Sequence, residues 1–357
     1  MTVPEAEATA SRKDAHIEVC LREDVGSGRP TGLDRYRLEY DALPELDLDQ
    51  VDLSTDVLGK RLAAPVVIGA MTGGTEWAAE LNRRLARAAA RVGVGMGLGS
   101  QRAMIERPEL SATFAVREAA PDLPLLIGNV GAVQLNYGVT GPDLARAVEA
   151  VGADALVFHL NPLQEAVQPE GDTRFAGLVE RLAEAIPQVG APCLAKEVGH
   201  GISARTAAKL ARLPLAGVET AGVGGTSWAR VESYRAPEGS AAAAIGRRLA
   251  GFGVPVAESI GACRAAFGDE RLVVASGGIR TGYQAAVALA LGADAVALAR
   301  PLLEAAAESE DAVVRALETF IRELQVVCFC TGARDPRGLR HVGISPTRGK
   351  WGEDDEQ

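Results

Sequence analysis

The residues best able to do chemistry are crowded into one short run. His159-Leu160-Asn161-Pro162-Leu163-Gln164-Glu165 follows directly on Asp154-Ala155-Leu156-Val157-Phe158, an apolar stretch rich in strand formers. A strand that ends in His, Asn, Gln and Glu is poor packing material. It makes sense where the C-terminal end of the strand opens onto a polar site. His159 and Asn161 fall at the spacing of one strand face, and Gln164 and Glu165 stand a short step further, in a loop. Glu165 has the chemistry of a ligand for Mg2+, which takes few protein carboxylates together with substrate phosphate oxygens. Its plainer use is to answer the dipole of a helix start, and the plainer use of His159 is as a hydrogen-bonded core residue.

Other short motifs offer neighbours to this cluster. Lys196, in Leu194-Ala195-Lys196-Glu197-Val198, is costly to desolvate at an inward strand end unless paired, and would suit an electron-rich ring. Met71-Thr72-Gly73-Gly74-Thr75 lets a flat ligand approach backbone amides, or simply makes a tight turn. Glycine at 93, 95, 97 and 99 leaves one strand face without side chains. That face implies either tight interior packing or room for a large planar group such as a flavin. Ser100 and Arg102 then reach the rim, with Arg102 a fork for phosphate. Asn129 offers a donor and an acceptor to a heterocycle edge, or makes a turn. Gly222-Val223-Gly224-Gly225-Thr226-Ser227-Trp228 can wrap a phosphate or ring, with the Thr226 hydroxyl as donor and Trp228 as a wall.

These motifs need a scaffold that brings strand ends together. Apolar strand candidates recur near 65–70, 92–98, 124–129, 154–159, 192–197, 216–220, 271–276 and 294–299. Between most of them lie stretches of helical period, such as Ala78–Arg91, Pro142–Val151, Arg174–Gln188 and Ser203–Leu213. Alternation of this kind means parallel pairing with right-handed crossovers, and about eight units fit an α/β fold, a single (β/α)8 TIM barrel. An N-terminal extension, 1–60, precedes the barrel at 61–334, and a polar C-terminal tail, 335–357, follows. Residues up to about Ser11 lack hydrophobic periodicity and are expected to be mobile; 22–60 are expected to pack under the barrel. The connection 222–245 is expected to be a lid or binding loop. In a barrel, Ser276-Gly277-Gly278-Ile279-Arg280 and Ala297-Leu298-Ala299-Arg300-Pro301 end the last two strands, where phosphate is commonly cradled. FMN or a phosphorylated substrate fits such a cradle.

Bulk properties narrow the classes. The net charge of -10 argues against nucleic acid as partner, and no apolar run is long enough to span a bilayer. The first residues are polar and carry no signal-peptide core. Five scattered cysteines (Cys20, Cys193, Cys263, Cys328, Cys330) suit reduced thiols and a cytoplasmic protein. Cys328-Phe329-Cys330 with His341 lacks the spacing of a usual zinc site and suits small apolar residues of a C-terminal helix.

From Arg12 to about Leu339 the chain resembles the type 2, FMN-dependent isopentenyl-diphosphate isomerases. The resemblance rests on Arg12-Lys13-Asp14-Ala15-His16, Met71-Thr72-Gly73-Gly74, Gly99-Ser100-Gln101-Arg102, Gly128-Asn129, the 159–165 run, Lys196-Glu197, Gly224-Gly225-Thr226 and Ser276-Gly277-Gly278-Ile279-Arg280. The glycine motifs are shared with many flavin barrels; the 159–165 run joined to the Arg-Lys-Xaa-Xaa-His start is far more specific. The resemblance implies that Met71, Thr72, Gly73, Ser100, Asn129 and Lys196 line FMN, with Thr226, Gly277, Gly278, Arg280, Ala299 and Arg300. It implies that Arg12, Lys13, His16, Ser100, Gln101 and Arg102 hold a prenyl diphosphate, with His159, Gln164 and Trp228. Gln164, His159 and Lys196 would be catalytic and Glu165 would bind Mg2+. Arg12-Lys13, by themselves a solvated helix face, would become part of a lid, 12–16. NADPH would reduce FMN, and a homo-oligomer, tetramer or octamer, is implied. Two departures stand out: Ala221 where Ser is frequent and Glu219 where Asp is common.

Competing flavin-barrel readings lack a piece. A 2-hydroxyacid oxidase resembles its relatives through His-Gly-Xaa-Arg, and His200-Gly201-Ile202-Ser203 has no arginine. An inosine-monophosphate-dehydrogenase-like enzyme needs a cysteine in a glycine loop, and 222–226 has none. A non-catalytic flavin-binding protein has no use for Arg102, His159 and Gln164.

Overall fold

The structure, a computed structural model, describes residues 3–347, and of residues 3–11 the backbone alone. Three short strands, β1 (Tyr36–Leu38), β2 (Thr55–Val57) and β3 (Lys60–Leu62), precede the barrel. The barrel strands are β4 (Val66–Ile68), β5 (Gly95–Gly97), β6 (Leu126–Gly131) and β7 (Ala155–Leu160), then β8 (Cys193–Glu197), β9 (Gly217–Glu219), β10 (Leu272–Ser276) and β11 (Ala295–Leu298). All eight are parallel, and β11 pairs back onto β4 to close the ring. Each strand expected from the sequence is one of these, and the fold is a TIM barrel. Val67, Ile127, Val157, Leu194, Val274 and Ala297 pack together inside it. The β2–β3 hairpin adds Val57 and Leu62 to the same cluster and seals the end where the strands begin.

Helices cover the outside, and local chemistry sets their ends. In α2 (Glu76–Val92), the Thr75 Oγ1 accepts from Ala78 N at 3.1 Å, and Gly93 at φ 77° stops the helix. Helix α4 (Gly141–Val151) opens with a capping box between Thr140 and Asp143 and ends at Gly152. Helix α7 (Ala204–Leu210) begins at Ser203, which accepts from Thr206 N.

Several segments differ from expectation. Helix α1 runs over Val3–Arg22, covering the residues expected to be mobile. Helix propensity rather than periodicity carries its first turns: Pro4 stands where its missing N–H costs nothing, and Glu and Ala follow. Gln164 and Glu165 lie in a short helix, α5 (Pro162–Val167), rather than a loop, because Pro162 pre-sets its first turn. The connection 222–245 is mostly helical, holding α8 (Trp228–Arg235) and the start of α9 (Ala241–Arg248). Serine caps explain both, since Ser227 Oγ accepts from Arg230 N and Ser240 Oγ from Ala243 N. Part of the extension reaches the opposite rim rather than lying underneath: Ser27 N donates to Gly225 O and Ser227 N to Val25 O. The segment after Asp335 is pinned, with Leu339 buried, Arg340 on Asp294 at 2.6 Å, and β12 (Ile344–Pro346) paired to β1.

The glycine face of β5 has a different use from a bed for a flavin. A Cβ at Gly97 would stand 3.3 Å from Ala70 N, and one at Gly99 only 2.2 Å from Thr72 O. The missing side chains admit the 70–72 backbone, which itself becomes a wall of the site. Cys328 is buried in α13 (Glu310–Cys330), all five cysteines are free, and among the described residues no group of three or more His, Cys, Asp or Glu could hold a metal. No described helix is long and apolar enough to cross a membrane.

Candidate active site

The C-terminal strand ends open onto a two-lobed cavity. Ala70, Met71, Thr72, Lys196, Val198, His16 and Trp228 line both lobes and form the partition between them. Lys196 reaches it from β8, in register with His159 of β7 and Glu219 of β9, so the three side chains share one barrel face. His16 and Trp228 come from α1 and α8 and meet edge to face, ring centres 5.1 Å apart.

The first lobe is apolar with one polar end. Ile17, Cys20, Ile279 and Leu303 flank it, and Thr226, Gly277, Gly278, Arg280, Ala299 and Arg300 close it. Two glycine turns press together at that end. A Cβ at Gly277 would lie 2.2 Å from Gly222 O, and one at Gly278 2.2 Å from Gly224 O. Gly277 and Gly278 have φ 107° and 81°, the left-handed region that glycine tolerates. Backbone-only walls, two arginines and the start of α12 (Arg300–Glu308) suit a phosphate, and the apolar flanks suit a flat ring. The residues present therefore fit FMN. Deep in the lobe the Glu219 carboxylate accepts from Ser276 Oγ at 2.7 Å, and Ala221 holds φ 37°, an uncommon conformation for a residue with a Cβ.

The second lobe carries charge. Arg12, Lys13, Gly73, Ser100, Arg102, Asn129, His159, Gln164 and Glu165 line it. Lys13 Nζ donates to Ser100 O at 3.2 Å and lies over the Phe114 ring. Burial, and then the charge of Arg12, brings its pKa down to about 7. His159 Nδ1 stands 2.8 Å from Asn129 Oδ1, whose amide nitrogen donates to Leu98 O. That fixes the proton on Nδ1 and leaves the Nε2 lone pair free. Burial first, then the charges of Lys196 and Lys13, push His159 down to about 3, so the ring is neutral. Arg102 grips Glu106 at 2.7 Å and Asp172, and Gln134 Nε2 donates to Asp172 at 2.9 Å. Glu165 accepts from Asn161 Nδ2 at 2.7 Å and from Asp172 N at 2.6 Å. Burial raises its pKa, and nearby Asp172 adds to that, so a cation here would relieve a destabilised carboxylate. With one lining carboxylate, a hard cation would need substrate oxygens to complete its shell, which fits Mg2+.

Gly73 and Asn129, expected at FMN, and Ser100, expected at both ligands, line the second lobe and not the first. Gln101, expected to hold the diphosphate, departs further. It faces neither lobe; its fully buried side chain donates to Ala147 O at 2.9 Å and accepts from Asn129 N at 2.9 Å. It positions Asn129 from behind. The sequence reading also passed over Glu232, which is fully buried at the lobe junction. Its Oε1 accepts from Gln164 Nε2 at 2.9 Å and lies 3.0 Å from His16 Nε2, and Arg235 holds Oε2. Burial alone would raise its pKa, but His16, Arg235 and Gln164 override that and hold it at about 2. His16 is pulled down by burial, so it donates as a neutral ring. Trp228 and Glu232 stand four apart, one face of a helix, which was the signal available in the sequence. Asp172 sits in an irregular Gly-Asp-Thr stretch that offered none.

Comparison with known proteins agrees with this geometry. The family model described as FMN-dependent dehydrogenase matches residues 15–107 and 179–345. An isopentenyl-diphosphate delta-isomerase of Synechococcus is 48% identical over 93% of this chain and 95% of its own. Those of Mycobacterium marinum and Deinococcus radiodurans are 49% and 48% identical, over 95% and 94% of this chain and 98% of each relative. Two solved mandelate oxidase structures, one carrying an FMN adduct, share the fold at TM-scores of 0.65 and 0.66. They are 21% and 23% identical, each over 96% of this chain and 100% and 99% of their own. The chain belongs to the FMN-dependent dehydrogenase family, among the isopentenyl-diphosphate delta-isomerases.

Proposed function

We propose that the protein interconverts isopentenyl and dimethylallyl diphosphates, with FMN in the first lobe and the diphosphate in the second. The observation that carries this reading is the partition. Lys196, His16 and Trp228 face both lobes, so a ring in one and a substrate chain in the other meet across them. Bound and reduced there, FMN would supply the acid and base for an allylic double-bond shift, in which one carbon gains a proton and another loses one. Lys196 places its ammonium where negative charge on the ring is stabilised. Arg12, Lys13 and Arg102 bind the diphosphate, and neutral His159, an acceptor at Nε2, meets its oxygens through a bridging water that donates to both. Glu165 with Mg2+ neutralises the remaining phosphate charge. Gln164, fixed by Glu232, orients the substrate, and Trp228 walls off water. NADPH is the reductant in this reading, the cytoplasm the compartment, and a homo-oligomer the assembled form.

A hydroxyacid oxidase is disfavoured by a particular contact. His200, which would have to act on the hydroxyacid, lines neither lobe, and its Nδ1 is 2.7 Å from Phe252 O. The test is purification followed by anaerobic reduction and addition of isopentenyl diphosphate with and without Mg2+. The expected result is yellow protein whose reduced form makes dimethylallyl diphosphate only with Mg2+. Colourless protein that takes up no FMN, or oxidation of a 2-hydroxyacid in place of isomerisation, would overturn the reading.

A further inference from the structure

Gln168 caps the end of α5, its backbone N–H donating to Gln164 O, and its side chain is buried between α1 and α8. Its neighbours leave the amide one workable orientation. Glu232 can only accept and Arg12 can only donate. Gln168 Nε2 therefore donates to Glu232 Oε1 at 3.1 Å, and Gln168 Oε1 accepts from Arg12 Nη1 at 3.1 Å. The nearest carboxylate to Arg12 is Glu170, 3.8 Å away and half exposed, a weaker hold. One turn along α1, His16 reaches the same Glu232 oxygen at 3.0 Å. Helix α1 thus meets one carboxylate twice, directly through His16 and indirectly through Gln168.

We propose that Gln168 is a positioning residue that ties Arg12, seated on the diphosphate, to Glu232 and Gln164 at the lobe junction. The proposal rests on the reading above. An arginine has five N–H donors, so giving one to Gln168 leaves four for phosphate oxygens and fixes the plane of the fork. At the other end Glu232 Oε1 is approached by three donors, from Gln164, Gln168 and His16. Removing one lets the others shift, and Gln164 moves with them. Seating of the diphosphate and orientation of the substrate chain are then coupled through one amide.

The two ends of the amide can be separated by substitution. Gln168→Met removes both contacts at similar volume. Gln168→Glu keeps an acceptor for Arg12 but replaces the donor to Glu232 with a like charge. Two quantities are measured on the holoenzyme: the Kd for inorganic pyrophosphate by calorimetry, and kcat with isopentenyl diphosphate. For Gln168→Met, Kd rises and kcat falls, each roughly tenfold, the size of a lost hydrogen bond to a charged group. For Gln168→Glu, Kd returns to within about twofold of wild type while kcat stays down roughly tenfold or more. Parallel movement of both quantities in both variants, as for a packing role, would overturn the proposal, as would wild-type values in both. Failure of the underlying reading shows separately, as wild-type holoenzyme without turnover. The pyrophosphate measurement then still decides the Arg12 contact.

Discussion

Glu165 and Lys13 show how single residues are tuned for an anionic guest. Glu165→Gln keeps the hydrogen bond from Asn161 but loses the charge that holds Mg2+. The expected outcome is loss of Mg2+ dependence with KM raised roughly tenfold or more and kcat changed less, read from steady-state kinetics over a Mg2+ series. Lys13 gives a pH dependence. Its pKa is about 7 in the folded chain against 10.5 for an ordinary lysine. Between those values the unfolded chain binds the extra proton. The stability cost of burying Lys13 is therefore full below pH 7 and is relieved as pH rises towards 10.5. Binding runs the other way, because a bound diphosphate restores the proton. Pyrophosphate affinity should fall as pH rises above about 7, with proton uptake in calorimetry, and Lys13→Met should remove both effects. An affinity that is flat from pH 6 to 9 would contradict this. At this scale the types of the working residues could be read from the sequence, but their states could not. That His159 is neutral depends first on its burial and then on Lys196 from the next strand, and that Glu232 is ionised against its burial depends on His16, more than 200 positions away.

The glycine turns and short helices decide what each element can offer. Gly222–Gly225 and Gly277–Gly278 pack backbone to backbone, so Gly278→Ala meets both a clash and a left-handed φ. We expect FMN affinity to drop at least roughly tenfold, from a strain of about 1–3 kcal/mol, with the barrel still folded by circular dichroism. Unchanged flavin content after dialysis would contradict the cradle. The strands were legible because each is a short apolar run between turns. The elements at the site were less so, for local reasons. Pro162 turns a polar stretch into α5, and Ser227 and Ser240 cap helices within what composition suggests is a loop. The glycine repeat of β5 was visible, but which backbone it admits depends on how the chain returns at 70–72.

At the scale of the molecule, a chain of net charge -10 keeps a concentrated set of cations inside one lobe, supplied by α1 and by Arg102 in the short helix α3 (Arg102–Glu106). The barrel is the part most fully written in the sequence, because alternation of strand and helix admits few topologies. The arrangement of the extension is not, since α1 docks on α8 through contacts such as His16–Glu232 that no local pattern announces. The first lobe draws on β8, β9, β10 and α1, so filling it should stabilise the whole fold. FMN at a hundredfold excess over its Kd should add about 2.7 kcal/mol, seen as a rise in Tm that scales with FMN concentration. The most direct test of the two-lobed site is turnover of isopentenyl diphosphate by the anaerobically reduced holoenzyme in D2O, followed by NMR. Wild type should yield dimethylallyl diphosphate carrying deuterium in a methyl group, and Glu232→Gln should slow that incorporation roughly a hundredfold or more while retaining bound flavin. Deuterium-free product, or equal rates in the two proteins, would contradict proton transfer at the junction of the lobes.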